Sequence, residues 1–274
     1  MKKIAVIILV SGLLLLNGCG GPKVRVQPFV DLPSQDTSPP RTALPDLPEP
    51  APFNLNNMAT QLITLQTSDQ ITLTGDWSVP KDAKKAVLLL HMMPAVRQSW
   101  EPLVKALNKA GFATMTIDLR GHGESTQNGQ LDYQKFSDSQ HQASRLDVDA
   151  AMNFIKSKGF TEENISFVGA SIGANLSLDA LRRYSNVPHA VVLSPGLNYR
   201  GITTEPVMKE LEPTQKTWLV AAESDTPSAE AIIILQQMKP QTATLTMYGG
   251  ANHGTNLFQS EPLLISDIVK FLSA

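Results

Sequence analysis

Gly169-Ala170-Ser171-Ile172-Gly173 is the string in this 274-residue chain whose residue types and spacing point most directly to chemistry. It stands between an apolar, β-branched run at 165–168 and a segment of helical pattern at 172–184. In a strand–turn–helix setting the glycines permit a turn sharp enough to lift the Ser171 hydroxyl above a sheet. A helix opening at Ile172 would aim its first N–H groups at the anion formed when that hydroxyl attacks a carbonyl. The chemistry in view is acyl transfer. A serine is a weak nucleophile by itself, so it needs a neighbouring base, and the base needs an orienting carboxylate.

The elements that must position such a group follow from periodicity. Short β-branched runs alternate with amphipathic ones, the pattern of a mostly parallel sheet covered by helices. Segments 61–66 and 71–77 read as an opening antiparallel pair. Strands are expected at 86–90, 113–117, 165–168, 190–193, 218–222 and 242–248. Leu103, Ala106, Leu107 and Ala110 repeat at helical spacing before Gly111, as do Val148, Ala151, Met152 and Ile155 before Gly159. Thr226-Pro227 reads as a helix start with Thr226 as N-cap, and a last helix from Pro262 carries Leu264, Ile268, Phe271 and Leu272. The total is an α/β fold with an eight-stranded, mostly parallel sheet. Ligands in such sheets bind at the carboxyl ends of the strands.

Asp118-Leu119-Arg120-Gly121-His122-Gly123-Glu124-Ser125 resembles the D-x-R-G-H-G-x-S segment after the fourth strand of many α/β-hydrolases. The string Gly169-Ala170-Ser171-Ile172-Gly173-Ala174-Asn175 is similar to that of small esterase-like and dienelactone-hydrolase-like members. The resemblance to this superfamily extends over 54–274 and implies a chain order of nucleophile, acid, histidine. It gives Ser171 the nucleophile's role and the 118–125 segment a structural one.

The resemblance places the acid after the strand at 218–222, where Asp225 is preferred to Glu223. Of five histidines, His91 precedes the expected oxyanion loop and His122 belongs to the structural turn. His141 and His189 read as surface residues. His253, in Gly249-Gly250-Ala251-Asn252-His253-Gly254 after the last strand, remains as the base. The oxyanion donors implied are the backbone N–H groups of Ile172 and Met93, with Met92 as the alternative to Met93. His91-Met92-Met93-Pro94 stands where the family usually has His-Gly and a turn. Met92 at the glycine position is therefore the main departure, able to narrow the pocket or alter the loop. Serine at the elbow argues against dehalogenase or epoxide-hydrolase chemistry, because those members use a carboxylate nucleophile.

The N-terminal end reads as targeting rather than fold. Lys2 and Lys3 precede an apolar run at 4–16, too short for a bilayer span of roughly 20 residues. Leu16-Asn17-Gly18-Cys19 resembles the lipobox of bacterial lipoproteins, which implies a signal peptide at 1–18 and lipidation of Cys19, the chain's single cysteine. Gly20, in place of Asp, lacks an inner-membrane retention signal and favours an outer-membrane anchor facing the periplasm within the cell envelope. Nine of the 19 prolines fall within 19–53, so that stretch reads as an extended tether, leaving 54–274 as the hydrolase domain.

Composition narrows the partners. Twenty-three basic residues against 25 acidic ones give a net charge of −2, which provides no footprint for nucleic acid. One cysteine excludes intrachain disulfides and Cys-rich zinc sites. No dinucleotide fingerprint or metal constellation appears, so no cofactor is expected. The partners expected are a small-molecule acyl substrate and the membrane reached through lipidated Cys19; the oligomeric state stays open. The insert at 197–217 is too short for a large lid. The function expected is that of a membrane-anchored serine esterase. The alternatives are a non-catalytic binding or scaffold protein on the same fold, and a peptidase or thioesterase with the same triad.

Overall fold

The computed structural model describes residues 60–274. The expected signal peptide at 1–18, Cys19, the expected tether and residues 54–59 lie outside the described residues. The chain runs through β1 (Thr60–Gln66), β2 (Thr72–Ser78), β3 (Lys85–Leu90), α1 (Glu101–Lys109), β4 (Phe112–Ile117), α2 (Asp138–Gln142), α3 (Arg145–Ser157) and β5 (Ile165–Ala170). It continues through α4 (Ile172–Arg183), β6 (His189–Leu193), β7 (Asn198–Tyr199), β8 (Ile202–Thr203), α5 (Glu205–Glu210) and β9 (Lys216–Ala222). The last elements are α6 (Thr226–Met238), β10 (Ala243–Tyr248), α7 (Leu257–Ser260) and α8 (Leu263–Ser273).

Eight strands form one sheet in the order β1-β2-β4-β3-β5-β6-β9-β10. The β2 strand is antiparallel to both β1 and β4, and every other pair is parallel. The central strands β4, β5 and β6 are buried along their whole length, as strands covered on both faces must be. One face packs Val148, Met152 and Ile155 of α3, Leu176 and Leu178 of α4 and Ile232 of α6 against the sheet. The other packs Leu103 and Leu107 of α1 with Leu264, Ile268 and Leu272 of α8. Each such side chain contributes about 1.5–3 kcal/mol on burial.

Strand order fixes where a site can form. From β3 the chain steps to β4 on one side and later returns to β5 on the other. The crevice between the carboxyl ends of β3 and β5 is thus the switch point. The register pairs Leu90 with Gly169, so the loop beginning at His91 runs beside Ala170 and Ser171.

Two sequence expectations change. His141 and His189 are buried, not surface residues: His141 packs edge-on to Phe136, and His189 opens β6 against Phe271. Asp225, not Thr226, holds the N-cap position of α6, and its side chain makes no cap hydrogen bond. The insert at 197–217 carries the β7–β8 hairpin and α5.

Candidate active site

Ser171 sits where β5 ends and α4 begins, with φ 53° and ψ −120°. A non-glycine residue there costs about 1–3 kcal/mol and persists only where its surroundings over-determine it. They do so here through close approach. A Cβ on Gly169 would collide with the Gly173 carbonyl, and one on Gly173 with the carbonyls of Leu90 and His91. The Ser171 N–H donates to Leu193 O at 2.9 Å, and the residue keeps 7% of its surface exposed. The elbow is therefore held on both flanks with its side chain at the sheet's rim.

Asp225 and His253 come together because the loops after β9 and β10 are stapled: Glu223 N donates to Tyr248 O and Ser224 N to Gly250 O, each at 2.8 Å. His253 Nδ1 then lies 2.7 Å from Asp225 Oδ2. The aspartate is 12% exposed and the histidine 32%. A carboxylate only accepts, so Nδ1 carries the proton and Nε2 is left as the basic nitrogen. Glu223, the competing acid, is exposed.

Gly254 holds the loop after β10 against the end of β5. Its N–H donates to Ser194 Oγ at 3.0 Å, and a Cβ there would stand 3.2 Å from Ala170 Cβ. In this resting geometry Ser171 and His253 are not hydrogen-bonded to each other. Such contacts are commonly loose until substrate is bound.

The loop after β3 supplies the facing wall. Leu119 N–H donates to His91 Nε2 at 3.0 Å, so His91 Nδ1 carries the proton that it gives to Met92 O at 2.9 Å. With the Met92 carbonyl held toward His91, the N–H of the same planar peptide, that of Met93, points the opposite way. This favours Met93 over Met92 as the donor paired with Ile172, whose N–H, in the first turn of α4, has no intrahelical acceptor. Burial pushes His91 down to about 4, with the nearby His122 acting in the same direction. The Met92 side chain is buried in the same cluster as Trp100, Leu257 and Phe258. Its sulfur lies against Gly254, the residue after His253.

Asp118–Ser125 takes the structural role expected. Asp118 receives Arg97 N–H at 2.8 Å and Glu124 N–H at 3.0 Å, and it pairs with the Arg97 guanidinium. Ser125 Oγ donates to Asp118 O and accepts from Thr74 N. Two residues escaped sequence reasoning. Asn175 pins the loop after β6 by accepting from Gly196 N at 3.1 Å and donating to Ile202 O at 2.7 Å. Tyr199, on the hairpin so anchored, brings its hydroxyl within 3.5 Å of Ser194 O and 3.3 Å of Ser228 Oγ. No periodicity marks a two-residue strand, so only the terminal Asn of the 169–175 string could have hinted at either. Among the described residues no His/Cys/Asp/Glu group suits a metal.

A serine elbow after β5, an acid after β9 and a histidine after β10, on this sheet order, define an α/β-hydrolase. Residues 81–243 match the family described as serine aminopeptidase, S33, and the chain belongs to that family of hydrolases. Ser171 and Asp225 lie inside the matched span and His253 beyond it. Over 85 residues the chain is 31% identical to mouse bifunctional epoxide hydrolase 2, covering 31% of this chain and only 14% of that relative's length. An esterase from Pyrococcus furiosus superposes with a TM-score of 0.63 at 17% identity, over 79% of this chain and 92% of its own. A thermostable carboxyl esterase from Bacillus coagulans gives 0.65 at 10%, over 79% and 98%. A dienelactone hydrolase from Anabaena variabilis gives 0.60 at 19%, over 79% and 95%. These structural likenesses establish the fold.

Proposed function

We propose that the protein is a lipid-anchored carboxylic-ester hydrolase working through Ser171, His253 and Asp225. The single observation that carries this reading is the 2.7 Å Asp225–His253 contact beside a serine held in an elbow conformation. Ser171 Oγ attacks the acyl carbonyl while His253 Nε2 takes its proton, and Asp225 stabilises the imidazolium. The N–H groups of Ile172 and Met93 receive the oxyanion; each such donor contributes about 2.7–4 kcal/mol to the transition state. His253 then protonates the leaving alcohol. Water, activated by the same nitrogen, releases the acid from Ser171. The 197–217 insert is short, which suits small or medium acyl esters better than bulk lipid.

Purified full-length protein should take up a fluorophosphonate probe and hydrolyse p-nitrophenyl acyl esters. Ser171→Ala should abolish labelling and lower turnover at least about 10³-fold. Equal labelling of the two proteins would refute the reading, and a folded wild type without turnover would favour the scaffold alternative. The aminopeptidase description of the matched family supports a second reading, that of a peptidase with the same triad. Aminoacyl p-nitroanilides in the same assay separate the two. The anchor rests on Cys19 in its lipobox-like setting; Cys19→Ser should release the protein from membranes or block its maturation, and unchanged membrane association counts against it.

A further inference from the structure

Two neighbouring strands of the sheet end alike. Ala170 of β5 pairs with Leu193 of β6, and the next residue on each strand is a serine in the left-handed region, Ser171 with φ 53° and Ser194 with φ 52°. Serine is an uncommon occupant of that region, and such strain persists where the surroundings over-determine it, often at functional sites. Ser171 is the proposed nucleophile. Ser194 is fully buried, so it meets no substrate, and the triad gives it no task.

Its hydrogen bonds supply one. The peptide joining Leu193 to Ser194 is a single plane. Its carbonyl accepts the Ser171 N–H at 2.9 Å, and its N–H donates to Val220 O of β9 at 2.7 Å. The Ser194 hydroxyl then accepts the buried Gly254 N–H at 3.0 Å. That N–H lies in the peptide plane that contains His253 Cα. One residue thus ties the backbone of the proposed nucleophile to that of the proposed base, and it grips β9, the strand that leads to Asp225. Asp225 selects which nitrogen of His253 carries the proton. Ser194 holds the backbone from which that ring extends. Without its oxygen the Gly254 N–H would be a buried donor left unpaired.

We propose that Ser194 is a positioning residue, its hydroxyl setting the His253 backbone at the distance from Ser171 that proton transfer needs. This rests on the triad proposed above. In the full chain Ser194→Ala deletes the acceptor. It should slow fluorophosphonate labelling and kcat together, about tenfold as for one buried hydrogen bond, with KM unchanged. Ser194→Gly loses the same acceptor while relieving the left-handed φ; it should lose as much activity as Ser194→Ala at a higher Tm. Ser194→Thr keeps the acceptor on a β-branched residue that this φ disfavours, so it should lose Tm and label at close to the wild-type rate. A merely structural serine would make activity follow Tm through the three variants, and that order overturns the proposal. Wild-type labelling rates in both Ser194→Ala and Ser194→Gly overturn it too, as does a rise in KM without slower labelling. If Ser171→Ala labels like wild type, the triad reading itself has failed; if it is silent while the Ser194 variants label normally, only the role of Ser194 has.

Discussion

Two regions of the molecule pair aspartate with a nitrogen base, and they leave opposite things unfinished. In the 118–125 loop Asp118 is buried and holds Arg97 through both backbone and guanidinium, while Asp147, fully buried, receives Arg120 N at 2.9 Å and Arg120 Nε at 2.8 Å. Arg97 also reaches Asp76 and Glu124, and Arg120 reaches Asp69. These networks consume their hydrogen-bonding capacity internally. At the rim, Asp225 uses one oxygen on His253 and the imidazole's second nitrogen is left free at a third exposed. A closed network specifies a loop; an open one supplies a base.

The comparison breaks most sharply on matched substitutions. Asp225→Asn should lower kcat about 10²–10⁴-fold, because an amide does not hold the imidazole in the required tautomer, with thermal unfolding nearly unchanged. Asp118→Asn should do the reverse. Removing one partner of a buried ion pair costs about 3–5 kcal/mol of stability, while the molecules that remain folded turn over at close to the wild-type rate. If Asp118→Asn lost activity without losing stability, the two regions would not differ in kind. Calorimetry and ester hydrolysis on both variants decide it.

A smaller effect tests how the open network is aimed. Gly254→Ala places a Cβ 2.5 Å from Met92 Sδ at a residue with φ +58°. Strain of this kind costs about 1–3 kcal/mol. It should appear chiefly as a fall in kcat of about ten- to a hundredfold, as His253 is turned from the elbow. Unchanged kcat with an ordinary loss of Tm would mean that the loop after β10 tolerates displacement and does not aim the imidazole.

What was legible in the sequence divides along the same line. The eight-stranded sheet showed in runs such as 86–90 and 190–193, whose full burial leaves a continuous apolar signature. The rim contact between Asp225 and His253 was reachable because the resemblance to the α/β-hydrolases implies an acid after the strand at 218–222 and a histidine after the last strand. The burial of His141 was not legible, since its cover, Phe136 and the hairpin beyond, comes from segments with no period of their own. Thr226 read as the cap because Thr before Pro is a local signal. Nothing local shows that Asp225 takes the cap position while its carboxylate turns to a histidine 28 residues on. Tyr199 and Asn175 escaped for the same reason: their partners are tertiary, on a hairpin of two-residue strands.

The smallest effect concerns proton uptake by the closed regions. His91 must stay neutral in the fold, because its Nε2 accepts from Leu119 N–H and a second proton would set donor against donor. Its folded value of about 4 lies below the ordinary imidazole value near 6.5. As pH falls the unfolded chain therefore binds the proton first, so stability is complete above about pH 7 and is lost on the way down toward pH 4. His122, His141 and His189 are shifted downward by burial in the same sense. Asp147, pushed up to about 6 by burial, works the other way: its folded form takes a proton before the unfolded one does, which offsets part of the loss below pH 6. His91→Gln keeps an acceptor for Leu119 N–H and titrates nothing, so its absolute Tm is irrelevant and its pH slope is the readout. Between pH 7 and 5.5 the wild type should lose roughly 1 kcal/mol more than His91→Gln. Parallel slopes would mean that His91 takes up its second proton in the folded state as readily as in the unfolded chain, and the hydrogen bond from Leu119 N–H to Nε2 would fall with it.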